Sequence, residues 1–286
     1  MSYKPSPRPQ YDHPTKIPYG QVTRHLWGDD ESGKVADWIY VSNQNIHALV
    51  FGLPPYGSFT HSQAYRTVFG ADEVMTVLEG SFALANPQTG EVQRASQGES
   101  IFFRKDTWHH GFNLGAAPVR VLEFFSPPPA KGTSGAYAQT KPYLPAEDWT
   151  YVSVASLRGW PFPEGPAART LHKISEGDLL LELRGANPKA IIENFVSTEN
   201  LRAGRVHLPP GSHIPAEIHS GDEALYVEAG ELFVHIPEAS GERWFELHPK
   251  DGFYLPSGVG HEYHNMGDQP ARILFGVAPN PDSFGK

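Results

Sequence analysis

Short apolar runs, each closed by a turn former, recur along the chain and set its architecture. Glu73-Val-Met-Thr-Val-Leu-Glu-Gly80 and Glu223-Ala-Leu-Tyr-Val-Glu-Ala-Gly230 are two such runs, rich in β-formers and ended by glycine. Segments 81–86, 101–104, 119–125, 231–236, 253–255 and 271–275 read the same way, with Gly, Pro, Asn or Asp between them. No long stretch keeps a helical period. Pro188 to Phe195 is a candidate for a short helix, with Asn187 as its cap and Pro188 at its first position. Short strands at regular spacing with frequent turns predict a sandwich or barrel.

The pattern occurs twice. Asp72-Glu73 aligns with Asp222-Glu223 at an offset of 150, which also pairs Gly80 with Gly230 and Pro87 with Pro237. A slip of one pairs Gly90 with Gly241, at turn segments where insertions cost little. A further slip pairs His109 with His261, Asn113 with Asn265, Gly115 with Gly267, Arg120 with Arg272 and Pro127 with Pro279. The chain therefore holds two copies of one unit. The Pro/Gly-rich segment Arg158-Gly-Trp-Pro-Phe-Pro-Glu-Gly-Pro166 marks the boundary between them.

One cluster carries candidate chemistry. Glu217, His219 and Glu223 fall at odd positions, so a single extended strand would point them to one face. His261 follows Glu223 by 38 residues, just past Gly258-Val259-Gly260, a turn that could return the chain to that face. Two carboxylates and two imidazoles in a small barrel suit one hard or borderline divalent ion. The plain alternative is a set of surface polar residues on a β-protein.

These residues resemble the motifs of the cupin superfamily. Its first motif reads G-x5-H-x-H-x3-4-E-x6-G and its second G-x5-P-x-G-x2-H-x3-N. The second copy runs Gly211, Glu217, His219, Glu223, Gly230, then Pro256, Gly258, His261 and Asn265. It departs in two places: Glu217 stands where the first histidine would be, and Lys250 where the second motif opens with glycine. In the first copy Glu73, Gly80, Gly98, His109 and Asn113 match, but the two histidine positions are Thr67 and Phe69. Rescue of a metal site there would need His61 or His110, and packing is the favoured reading of His109-His110 beside Trp108.

The resemblance implies an all-β bicupin: two tandem double-stranded β-helix, or jelly-roll, barrels with an N-terminal arm. The expected division is an arm over 1–35, a first barrel with a degenerate metal site over 36–157, and a metal-binding second barrel over 158–286. Arms that swap between subunits are common in cupins, so the resemblance also implies a homodimer.

Composition narrows the partners. The chain has 286 residues and a net charge of −9, with no long basic run, which argues against nucleic acid. No apolar run approaches the length of a membrane span, and the first residues carry no apolar signal segment. There is no cysteine, so disulfides and thiolate sites are excluded and histidine and carboxylate chemistry remains. A cytoplasmic protein acting on a small polar molecule is expected.

The metal set is Glu217, His219, Glu223 and His261, with Fe(II) favoured and Mn(II), Zn(II) or Ni(II) as alternatives. Glu217 is either a fourth ligand or a general base. Of Tyr263 and His264, one is expected to face the cavity, with Tyr263 the catalytic candidate. Arg205 and His207 are either anion contacts or surface residues. Asn265 is expected to brace a turn, His213 to lie on a loop, and Tyr226 and Trp244 to be core. The leading function is an Fe(II) dioxygenase. A redox-neutral bicupin (aminohydrolase, isomerase or decarboxylase) and a non-enzymatic binding protein are the alternatives.

Overall fold

The computed structural model describes residues 7–29, 33–60, 67–126, 138–140, 149–153 and 169–280. Two barrels of antiparallel strands fill this span. The second is two sheets packed on one core. Its larger sheet runs in the order Thr15–Ile17, Gly252–Leu255, Asp222–Ala229, Ala271–Ala278, Arg202–Leu208, Ala190–Ser197, Leu180–Arg184. Its smaller sheet runs His213–Glu217, His261–His264, Leu232–His235, Trp244–Leu247. Alternate residues of both sheets, among them Ile192, Val206, Leu225, Val234, Leu247 and Phe253, form one buried cluster. Each such side chain contributes about 1.5–3 kcal/mol by leaving water.

The first barrel repeats this plan in a continuous sheet: Leu171–Ile174, Ser100–Phe103, Asp72–Glu79, Val119–Ser126, His47–Leu53, Gly33–Ser42, Ser58–Thr60, His110–Phe112, Ser81–Asn86, Glu91–Ser96, with Thr23–Asp29 beside Gly33–Ser42. Phe51, Phe59, Phe82, Met75 and Phe103 fill it. A third apolar cluster joins the barrels. There Tyr40, Ile46, Leu122 and Phe124 of the first meet Ala224, Tyr226, Tyr254 and Leu274 of the second.

The ends of the two copies are exchanged. Thr15–Ile17, in the N-terminal arm, pairs with Gly252–Tyr254 of the second barrel. Leu171–Ile174 pairs with Ser100–Phe103 of the first barrel. A boundary at 158 assigns this last strand to the second unit, yet it lies on the first unit's sheet. The repeated aspartates cross the same interface. Asp222 accepts from Asn43 Nδ2 at 2.7 Å and Asn45 Nδ2 at 3.0 Å. Reciprocally, Asp72 accepts from Thr198 Oγ1 at 2.8 Å and Asn200 Nδ2 at 3.1 Å.

Two local expectations are corrected. The segment read as a helix at 188–195 is the strand Ala190–Ser197. Its buried residues are Ala190, Ile192, Asn194 and Val196, a period of two that fits pairing on both sides and no helix. Second, Glu217, His219 and Glu223 do not share a strand. Glu217 ends one strand, His219 lies in the connection and Glu223 belongs to the next strand.

Candidate metal centre

The three elements that carry the site are tied together by backbone and side-chain hydrogen bonds. Gly258 N–H donates to His219 C=O at 2.8 Å, so the turn before His261 is fastened to the loop of His219. Ser257 N–H donates to Asp222 Oδ1 at 2.9 Å, and Ser257 Oγ to Ser220 C=O at 2.7 Å. Gly258 has φ of +83°, a conformation glycine adopts without steric cost. Past the site, Asn265 Nδ2 donates to Leu208 O at 2.7 Å and Gln269 O at 2.8 Å, bracing the turn as expected. Asn113 does the same in the first copy, to Pro54 O and Ala117 O at 2.8 Å each.

These ties bring His219, Glu223 and His261 together, with one donor atom from each within 4.8 Å of the others. His261 Nε2 lies 3.2 Å from Glu223 Oε2, and His219 Nε2 lies 3.5 Å from the same oxygen. His261 Nδ1 is 3.1 Å from Val259 O. A carbonyl only accepts, so Nδ1 carries the proton and the Nε2 lone pair faces the other donors. Glu223 and His261 are 3% and 1% exposed. Glu223 Oε2 and His261 Nε2 are buried without a well-aligned hydrogen bond among the described residues. Buried polar atoms are normally partnered, and two such atoms aimed at one point fit a divalent ion.

Charge follows the same geometry. Burial alone would raise the Glu223 carboxyl, but His261 and then His219 outweigh it and hold it below the usual carboxylate range. Burial alone would lower His261, but Glu223 raises it above the ordinary imidazole range. Tyr263 packs with its ring centroid 5.0 Å from that of His261. Burial, then the adjacent Glu223 charge, push its phenol well above the ordinary value. It therefore stays protonated and is unsuited to act as a base.

Glu217 stands apart from the three. Its Oε2 is 3.9 Å from His219 Nε2, while its Oε1 is 3.3 Å from Arg184 Nη1. Arg184 also pairs with Glu182 at 2.9 Å. Sequence reasoning missed Arg184 because it lies 33 residues before Glu217 and no local pattern joins them.

Other candidates fall elsewhere. Arg205 pairs with Glu193 at 2.9 Å and Glu228 at 3.0 Å and donates to Gly98 O of the first barrel, so it bridges the barrels. His207 Nε2 lies 2.9 Å from Glu193. His213 opens a strand instead of lying on a loop, and its ring stacks on His264. Tyr226 is core, but Trp244 is 45% exposed and stacks on His235. A groove of about 480 Å³ opens between His13–Lys16 and Trp244–Glu246, away from the predicted ligands.

The first barrel keeps the glutamate and histidine positions without the donor group. Among the described residues, the convergent His/Asp/Glu triplets all lie in the second barrel. His61 lies outside the described residues. His109 packs against Phe103 at 4.5 Å, and burial lowers it to about 3. His110 lies between Trp108 and Trp149, at 5.3 and 5.0 Å. Burial, then the neighbouring Glu123, raises Glu73 well above the usual carboxylate range, and burial pushes Glu123 up to about 7. Where the second barrel sets imidazoles beside its glutamate, the first sets another carboxyl.

Comparisons with known proteins agree with this architecture. The cupin-domain family matches residues 70–125 and 204–277, once in each barrel. Two curated relatives match over 77 residues, 27% of this chain: the tetracenomycin polyketide synthase protein TcmJ of Streptomyces glaucescens, 30% identical, and the polyketide synthase CurC of Streptomyces cyaneus, 32% identical. The chain spans about half the length of these relatives, 49% and 47%. Among solved structures, a Pseudomonas aeruginosa protein named as glyoxylate-induced superposes with a TM-score of 0.64 at 16% identity, covering 98% of this chain and 97% of that one. A formate complex of Lactobacillus farciminis oxalate decarboxylase gives 0.62 at 15% identity, over 96% and 88%. At such identities the likeness is one of fold. No helix among the described residues is long and apolar enough to cross a membrane. With a cupin-domain match in each of two jelly-roll barrels, the chain belongs to the cupin superfamily as a bicupin.

Proposed function

We propose that this bicupin is a metal-dependent enzyme acting on a small polar metabolite in its second barrel, with His219, Glu223 and His261 as ligands. The observation that carries this reading is the convergence of three donors, two of them buried and without aligned partners. Two imidazoles and one carboxylate leave coordination positions open, the pattern of non-haem Fe(II) oxygenases, so an Fe(II) dioxygenase is the leading class. A bound ion would polarise the substrate and, as Fe(II), engage dioxygen.

The chain's own groups then orient and move protons. Tyr263 keeps a neutral phenol beside Glu223, whose buried O–H has no aligned partner among the described residues and is free to donate to a bound substrate. Glu217, held by Arg184 at the edge of the centre, supplies a carboxylate able to take a proton from a bound substrate. That carboxylate favours a second reading, a redox-neutral enzyme using Mn(II), Zn(II) or Ni(II). The fold likeness to oxalate decarboxylases, including one of Bacillus subtilis described with Mn(II) centres, is compatible with it. A homodimer and a cytoplasmic setting belong to the same proposal.

Elemental analysis of protein purified without chelator or affinity tag tests both readings, with His261→Ala as control. Near-stoichiometric iron that vanishes in the variant, with oxygen uptake in a screen of small polar substrates, supports the dioxygenase. Manganese, zinc or nickel with anaerobic turnover supports the second reading. Folded protein that stays metal-free after reloading overturns both.

A further inference from the structure

We propose a second metal site, on the outer face of the small sheet of the second barrel, formed by His235, Glu262 and His264 and suited to Zn(II) or Cu(II). It goes beyond the proposed function and shares no residue with it. The strand His261–His264 alternates: His261 and Tyr263 are buried toward the barrel, and Glu262 and His264 face outward. Register sets His235 opposite Glu262 and Phe233 opposite His264 on the neighbouring strand, so the three side chains stand together on one face.

The spacing is that of a metal shell. Glu262 Oε2 lies 2.9 Å from His235 Nδ1 and 3.2 Å from His264 Nε2, and the three donor atoms all lie within 4.8 Å of one another. A tetrahedral ion with bonds of about 2.0–2.1 Å needs donors roughly 3.3 Å apart. The two rings are already held. His235 stacks on Trp244 at 4.2 Å and 15°, and His264 on His213 at 5.1 Å and 16°. Fixed rings lose little freedom on binding, which favours affinity. The three side chains are 21%, 25% and 21% exposed, so solvent ions can reach them and a water can complete the shell. Imidazole and carboxylate donors select borderline ions over Mg(II) or Ca(II). The competing account is a carboxylate that merely accepts two imidazole hydrogen bonds.

Titration of the chelator-stripped full chain with Zn(II) by calorimetry separates the two accounts. Wild type is expected to take up two equivalents, and the variants His235→Ala/His264→Ala and His261→Ala one each. Glu262→Gln, which keeps the side-chain shape, is expected to weaken the outer site at least tenfold. Cu(II) should quench Trp244 fluorescence in wild type and His261→Ala, with that quenching absent from Trp244→Phe. Unchanged Zn(II) stoichiometry and affinity in both outer-face variants overturns the proposal. A single wild-type equivalent that the outer-face variants lose would uphold it while removing the interior centre on which the proposed function rests.

Discussion

Replacing Asp222 by alanine removes the anion that fastens the two barrels and the metal loop at once. Its carboxylate is 4% exposed. Oδ2 accepts from Asn43 Nδ2 at 2.7 Å, Asn45 Nδ2 at 3.0 Å and Tyr254 OH at 2.9 Å, and Oδ1 accepts from Ser257 N at 2.9 Å. Hydrogen bonds to a charged group contribute roughly 1.5–3 kcal/mol each, so four would sum to about 6–12 kcal/mol. They share one acceptor group, Asn45 is only partly buried, and water entering the space re-satisfies part of the network. The expected loss is therefore about 3–5 kcal/mol, the range for breaking a buried charged network. In a scan this corresponds to a fall in Tm of roughly 6–20 °C. Urea and calorimetric unfolding of the chelated full chain measure it. Asp222→Asn, which keeps the shape but turns an acceptor into a donor, should lose less. Because Ser257 leads into the turn before His261, Asp222→Ala should also weaken metal binding. A loss below about 1 kcal/mol with unchanged metal affinity would refute the argument.

Three further outcomes follow from the same contacts. In metal-free protein the Glu223–His261 pair adds stability that for Glu223 is complete above its ordinary 4.5 and for His261 is complete below its ordinary 6.5. Glu223→Gln should then cost more stability at pH 5.5 than at pH 8.5, and equal losses would contradict the pairing. In the first barrel the raised Glu73 and Glu123 mean that the folded state holds extra protons, so stability falls as pH rises from about 5 toward 8. Glu73→Gln should flatten this slope and stabilise the protein at pH 8, and an unaltered slope by urea unfolding would count against a buried acid pair. Arg184, 41% exposed on its side chain, should cost under about 1 kcal/mol when changed to alanine. The freed Glu217 should then raise divalent-metal affinity in chelator competition, and no change would place Glu217 out of reach of the ion.

Most of the fold was legible because it depends on local order. The glycine-closed runs at Glu73–Gly80 and Glu223–Gly230 became the central strands Asp72–Glu79 and Asp222–Ala229. The helix read into Pro188–Phe195 failed because capping signals at Asn187 and Pro188 outweighed a period of two that only pairing on both sides makes decisive. The site was legible as a set of candidate donors, and the side chains of His219, Glu223 and His261 come together. The position of Glu217 was not, because the guanidinium that engages it comes from a strand far back in the chain.

The amino-acid sequence by itself determined that the chain is a doubled β-unit and that its second copy carries two imidazoles and two carboxylates in a motif-like arrangement, since periodicity and residue type are read along the chain. Tertiary structure alone decided that the first strands of the copies exchange barrels, that Asp72 and Asp222 bond across the interface, and that Arg184 draws Glu217 aside. It also decided that His261 faces inward while His264, three residues on, faces out. These outcomes rest on register and on contacts between residues far apart in the chain, whose energies exist only once the sheets have closed.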